Sequence, residues 1–164
     1  MSPSGPDRRE DAGLPEAGGG RVIPRSALEI EVPSRMEVVD GLEELAVRIG
    51  IAAGLREDGS HFLGVALREA LANAVRHGNR LDPALPVSVE FRIEPSNTLV
   101  IAVRDRGAGF DPARLPDPRT SENLAKGSGR GIWYMRQFAD EVSFSFPEGG
   151  GCVVLLKKRL PDLP

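Results

Sequence analysis

Three residues of one short segment are spaced for joint chemistry. Within "REALANAVRHGN", Glu69, Asn73 and His77 recur every four positions. In an α-helix, residues i and i+4 share a face, so the three would form one row. At 1.5 Å per residue that row runs about 12 Å. Ala66, Ala70, Ala72, Ala74 and Val75 surround it, small enough to let a ligand come close. A solvated helix face would carry three polar residues equally well. A carboxylate, an amide and an imidazole in register, though, suit a general base, a metal ligand and a phosphate contact.

A second group stands where an alternating apolar run ends, in "DRGAGFDP". A carboxylate at Asp105, at the end of a buried strand, can accept a hydrogen bond from an exocyclic amine such as N6 of adenine. Gly107 and Gly109 let the backbone bend and a flat base approach, and Phe110 can pack beneath it. A β-turn carrying an aspartate is the plainer alternative. The third group is "KGSGRGI". Gly127, Gly129 and Gly131 alternate ahead of a helix, with Ser128 between the first two. Backbone N–H groups at a helix N-terminus favour phosphate, and Lys126 and Arg130 add positive charge. No strand leads directly into these glycines, so this is not a dinucleotide fingerprint, and the P-loop pattern is absent.

Elements must hold these groups. Residues 27–32, "ALEIEV", alternate Leu28, Ile30 and Val32 and read as a strand closed by Pro33. Ser34 and Glu37 form a capping-box pattern opening a helix that carries Met36, Val39, Leu42, Leu45, Ala46 and Ile49 and fades at Gly54. "EDGS" at 57–60 reads as a break and a cap. A second helix is predicted from about His61 to His77, with Gly78 as its stop. Val87, Val89, Phe91 and Ile93 alternate, as do Leu99, Ile101 and Val103, which predicts an antiparallel hairpin across "EPSN". The polar stretch from Asp111 to Gly129 reads as a mobile loop. A short helix at 131–140 turns Ile132, Met135 and Phe138 inward. Strands at 141–146 and 152–158 close the pattern across "PEGGG". The order β-α-α-β-β-α-β-β implies a two-layer α/β sandwich, with a mixed, mostly antiparallel sheet and helices on one face.

Composition narrows the classes. The 164 residues suit one domain, and residues 1–24, rich in Gly, Pro and charge, read as a disordered leader to a domain at 25–160. With 21 basic and 24 acidic residues, net charge −3, the chain lacks the basic excess of a nucleic-acid groove. Its single cysteine, Cys152, lies in an apolar run. It rules out an internal disulfide framework and a cysteine-rich zinc site, and reads as a small buried hydrophobe. The apolar runs are too short for a helical membrane span, and no signal-peptide core is seen. A soluble, cytoplasmic protein is expected.

Taken in order, "EALANAVRHGN", "DRGAGF" and "GSGRGIWYMRQFADEV" resemble the N, G1 and G2 boxes of the GHKL ATPase superfamily, which shares the Bergerat nucleotide-binding fold. The nearest resemblance is to the anti-sigma-factor serine kinases of bacterial partner switching, over roughly Ala27 to Lys158. That resemblance implies ATP and Mg²⁺ as cofactors. It implies Glu69 as general base on the attacking hydroxyl, Asn73 as Mg²⁺ ligand and His77 near the phosphates. It also implies Asp105 on adenine, with Gly107, Gly109 and Phe110 shaping the pocket. Lys126, Gly127, Ser128, Gly129, Arg130 and Gly131 would line the phosphates, and 111–126 would be an ATP lid. The implied activity is transfer of phosphate from ATP to a serine of a small antagonist protein of the anti-anti-sigma (STAS) type. Binding of a sigma factor and a homodimeric state are implied with it. A non-catalytic, nucleotide-dependent binding module is the alternative. A histidine-kinase catalytic piece lacks a phosphoacceptor helix pair here, and a DNA-gate ATPase lacks its extra domain and basic surface. Two departures from the family pattern stand out: Gly78-Asn79, where relatives often carry a small residue and an aromatic, and Trp133-Tyr134, in place of an aliphatic pair.

Overall fold

The computed structural model describes residues 27–107 and 130–162. The leader and the 108–129 segment, including Gly109, Phe110, Lys126, Gly127, Ser128 and Gly129, lie outside the described residues.

Strand β1 (Leu28–Val32) is followed by helices α1 (Glu37–Ala52) and α2 (Glu57–Asn73), the latter running on into a π-type turn at Ala74–Gly78. Next come β2 (Val87–Glu94) and β3 (Thr98–Arg104), then α3 (Arg130–Phe138), β4 (Glu141–Ser145) and β5 (Val153–Arg159). The five strands form one sheet in the order β1-β2-β3-β5-β4, and every described pair is antiparallel. The chain is thus an α/β sandwich of one sheet and one helical layer.

Period-2 alternation sets the register. Val89 faces Ile30 and Val103, Phe91 faces Ile101, and Ile101 faces Leu156, so one apolar face runs across four strands. Against it pack Val39, Leu42 and Ala46 of α1, Leu63, Leu67, Ala70 and Leu71 of α2, and Ile132 and Met135 of α3. Leu28 and Ile93 follow the alternation but are half exposed, because Ile93 lies beyond the end of β1 and has no β1 partner. The β2–β3 turn closes as a three-residue loop, with Asn97 supplying the left-handed position at φ 55°.

Two local expectations are corrected. Ser34 is not a capping residue. α1 has no side-chain cap, and the buried Ser34 hydroxyl instead donates to Leu85 O at 2.6 Å. A long-range buried acceptor outcompetes the local N–H groups. α2 also starts at Glu57, not His61. Glu57 and Asp58 lie in its first turn, where carboxylates suit the positive helix end. Gly54, at φ 94°, ends α1 as expected.

α2 lies between α1 and α3. On the α1 side Gly64 is the close-approach point: a Cβ there would stand 2.7 Å from Val47 Cγ2 and 3.3 Å from Glu43 O. Arg68 ties the same pair of helices, donating to Asp40 at 2.6 Å and Glu43 at 2.7 Å. Gly64→Leu is expected to lower unfolding free energy by about 1–3 kcal/mol through overpacking. Urea unfolding checks this, with an unchanged m-value expected.

Candidate functional site

The first site group forms where α2 meets α3. Glu69 and Asn73 lie on the α2 face that turns to the start of α3. A Cβ on Gly131 would stand 2.7 Å from Glu69 Oε2 and 3.5 Å from Asn73 Nδ2. Gly131 therefore lets the first turn of α3 close on both side chains. The N-terminal end of α3 thus meets the Glu69 carboxylate. Among the described residues, no hydrogen bond ties up the Glu69 carboxylate or the Asn73 amide. Both are half-buried and keep their oxygens available.

His77 departs from the row. It falls in the π-type turn, closed by Asn79 N–H donating to Ala74 O at 2.8 Å, and it is exposed. A turn with i→i+5 bonds is wider than an α turn, so the i+4 alignment ends before His77. The structure thus brings Glu69, Asn73 and Gly131 together and leaves His77 outside that contact. Gly78 is not a left-handed stop either. Arg80 and Leu81 carry the left-handed turn, at φ 54° and 62°.

The second group centres on Asp105, which is 4% exposed at the end of β3. Its Oδ1 accepts from Gly107 N–H at 3.0 Å and from Cys152 N–H at 3.2 Å. Its Oδ2 accepts no hydrogen bond from the described residues and lies toward Gly78. A Cβ on Gly78 would overlap the Asp105 carboxylate, and one on Gly107 would overlap the Gly78 carbonyl. These two glycines are required by close approach. Burial pushes the Asp105 carboxyl above its ordinary value. The N–H bonds from Gly107 and Cys152 and the Arg104 charge oppose that rise without cancelling it. Burial, with the Asp105 charge, also pushes the Cys152 thiol up to about 12, so it is an inert core group.

Asn79 is the residue that reading the sequence missed. It is 2% exposed and uses its whole amide. Oδ1 accepts from Arg106 N–H at 2.7 Å. Nδ2 donates to Ser34 Oγ at 2.8 Å, Leu85 O at 2.9 Å and Pro86 O at 3.1 Å. One side chain thereby staples the loop after the π turn and holds the Asp105-Arg106-Gly107 turn. The available signal was an asparagine opening a Pro-rich loop, where its amide can replace backbone partners.

With this geometry in view, comparison with known proteins is direct. Residues 32–158 match the histidine kinase-like ATPase domain family, and the chain belongs to that family. An anti-sigma F factor of Heyndrickxia coagulans is 35% identical over 95 residues, covering 56% of this chain and 64% of the relative. The chain thus spans just under two thirds of that relative's length. A serine-protein kinase RsbW of Bacillus licheniformis is 29% identical over 129 residues, 74% of this chain and 79% of the relative. Among solved structures, the SiaB-SiaC complex of Pseudomonas aeruginosa gives a TM-score of 0.59 at 14% identity, covering 79% of this chain and 88% of the other. The RsbU and RsbW domains of a Mycobacterium tuberculosis protein give 0.55 at 19% identity, covering 84% and 32%. At such identities the structures speak for the fold.

Two outcomes test this account. Asn79→Ala is expected to cost at least about 2 kcal/mol, because each buried group left unpaired costs about 1–3 kcal/mol; thermal and urea unfolding measure it. Asp105→Asn keeps an acceptor for both N–H groups and removes the buried charge. A carboxyl whose folded value is raised destabilises the fold above that value and not below its ordinary 3.8. The variant is therefore expected to be at least as stable as wild type at pH 7. The gap should shrink as pH falls toward 4 in parallel urea titrations.

Proposed function

We propose that this chain is an ATP-dependent protein serine/threonine kinase that acts as an anti-sigma factor in partner switching. Its reaction would be transfer of the γ-phosphoryl group of ATP to a serine hydroxyl of a small STAS-type antagonist, leaving ADP and a phosphoserine. The observation that carries the reading is the Glu69 carboxylate set against Gly131 and the N-terminus of α3, with Asn73 beside it. Family membership and the relatives named as an anti-sigma F factor and a serine-protein kinase support it.

The division of labour follows from the residue chemistry. A Glu69 oxygen would take the proton from the acceptor serine as its oxygen attacks phosphorus, while the bond to the leaving ADP oxygen breaks. Asp105 Oδ2 would accept from the adenine amine, with Asn79 holding its turn in place. Backbone N–H groups at the start of α3 would face the phosphates, with Arg130 near them. Mg²⁺ suits the donors present. Asn73 would hold it through its hard amide oxygen, and this ion commonly takes few protein ligands alongside phosphates and water. When bound, it would neutralise phosphate charge. A sigma factor as binding target, a homodimeric state and action in the cytoplasm complete the proposal.

The test is phosphate transfer from γ-labelled ATP with Mg²⁺ into an extract of the source cells. Wild type should label one small protein. Glu69→Ala is expected to lose about 100-fold or more in rate with ATP still bound, the usual contribution of a general base. Asp105→Asn should weaken ATP binding about 10- to 100-fold, the loss of a hydrogen bond to a charged group. Undiminished labelling by Glu69→Ala would sink the kinase reading. ATP binding by wild type without any labelling would make the chain a nucleotide-dependent binding module.

A further inference from the structure

Seven residues along α2 from Glu69 lies Phe62, and seven along α3 from Gly131 lies Phe138. Gly131 abuts Glu69, and the Phe62 and Phe138 rings stack with centroids 4.7 Å apart and planes 12° from parallel. The two helices are therefore antiparallel, with the carboxylate at one end of their seam and aromatic rings at the other. Tyr134 stacks on Phe138 at 5.8 Å, and Trp133 meets Tyr134 edge-on at 5.1 Å. Phe62, Trp133 and Tyr134 are 45%, 42% and 37% exposed. Ile51 and Leu81, also exposed, are aliphatic and take part in no ring stack. Scattered apolar residues need no explanation; a contiguous aromatic patch does.

We propose that this ladder of Phe62, Phe138, Tyr134 and Trp133 is the docking surface for the protein that receives the phosphoryl group at Glu69. The inference rests on the kinase reading above. Seven helical residues separate the carboxylate from the far end of the ladder by about 10 Å. A stable interface of about 800 Å² per partner has a radius of about 16 Å. An interface of that size centred on Glu69 reaches the ladder. Trp and Tyr are the residues that most often anchor such contacts. Arg136, exposed on the same helix, places a positive charge beside the rings, so the fitting partner presents an apolar patch with a carboxylate near it.

Trp133 is the chain's single tryptophan, so its emission reports on the ladder in the unmodified protein. The probe is the protein labelled in the extract, purified in its unphosphorylated form. Adding it should quench or blue-shift Trp133 emission. Tyr134→Ser and Phe62→Ser should each raise the KM for it about tenfold or more, with kcat at saturation and ATP affinity unchanged. An acceptor that is phosphorylated normally but leaves Trp133 emission and both KM values unaltered would overturn the docking inference alone. A wild-type dimer that Tyr134→Ser converts to monomer in sedimentation would assign the ladder to a second copy and overturn it as well. Absence of any labelled protein with wild type would remove the kinase reading, and this inference with it.

Discussion

At the end of β3, three glycines let the chain close on itself without a Cβ in the way. Gly78 lies against the Asp105 carboxylate, Gly107 against the Gly78 carbonyl and Gly151 against the Asp105 carbonyl. Gly151 N–H donates to the Gly107 carbonyl at 2.6 Å, and Asp105 N–H to the Cys152 carbonyl at 3.1 Å. This contact joins the end of the helical layer to the centre of the sheet. The rest of the site inherits from it. The contact strips water from the Asp105 carboxyl and raises it, and it isolates the neighbouring Cys152 thiol. It also sets where Asn79 must stand, because the residue after Gly78 is the one that can reach the Arg106 N–H.

The second junction, between α2 and α3, depends on a different glycine. Gly131 brings a helix N-terminus onto Glu69. A side chain there would push the helix end away from the carboxylate and weaken the field acting on it. The two junctions sit at successive places along one continuous helical run, α2 and its π turn. That run is thus the common rail of the site, with Asp105 docked at one end and α3 along its side. At the α3–β4 corner, Asp140 makes an analogous small anchor. Burial pushes its carboxyl up, but the Arg159 N–H at 2.7 Å and the Lys158 ammonium at 2.9 Å outweigh that and hold it below its ordinary value.

Much of this was legible in the residues. Alternation located the described strands and the β2–β3 hairpin, since one buried face forces period 2. The helical runs were legible for the same reason, and the box pattern pointed to the family that residues 32–158 match. What escaped was non-local. Ser34 looked like a helix cap because its competitor, the Leu85 carbonyl, is 51 residues away. The i+4 row was extended to His77 because nothing in "AVRHG" announces a π-type turn; the turn ends at Gly78, which lies against Asp105 after β3. Gly78 was read as a conformational stop when its need is steric. Asn79 was noticed only as an oddity, since its partners at Ser34 and Arg106 are distant along the chain.

The strand order carries a consequence for how the chain is made. β5 is the last described strand to be synthesised, yet it sits between β3 and β4. Until it emerges, the β3 edge presents unpaired N–H and C=O groups, and β4 has no neighbour to join. At 5–20 residues per second, the stretch of roughly 50 residues from β3 to β5 takes about 2–10 s to translate. During that interval a nascent three-stranded sheet, apolar on one face, waits with an open edge. Such an edge is the usual template for unwanted pairing. The β3 run of Leu99, Val100, Ile101 and Val103, wholly enclosed once folding is complete, is therefore the segment most in need of shelter at the ribosome.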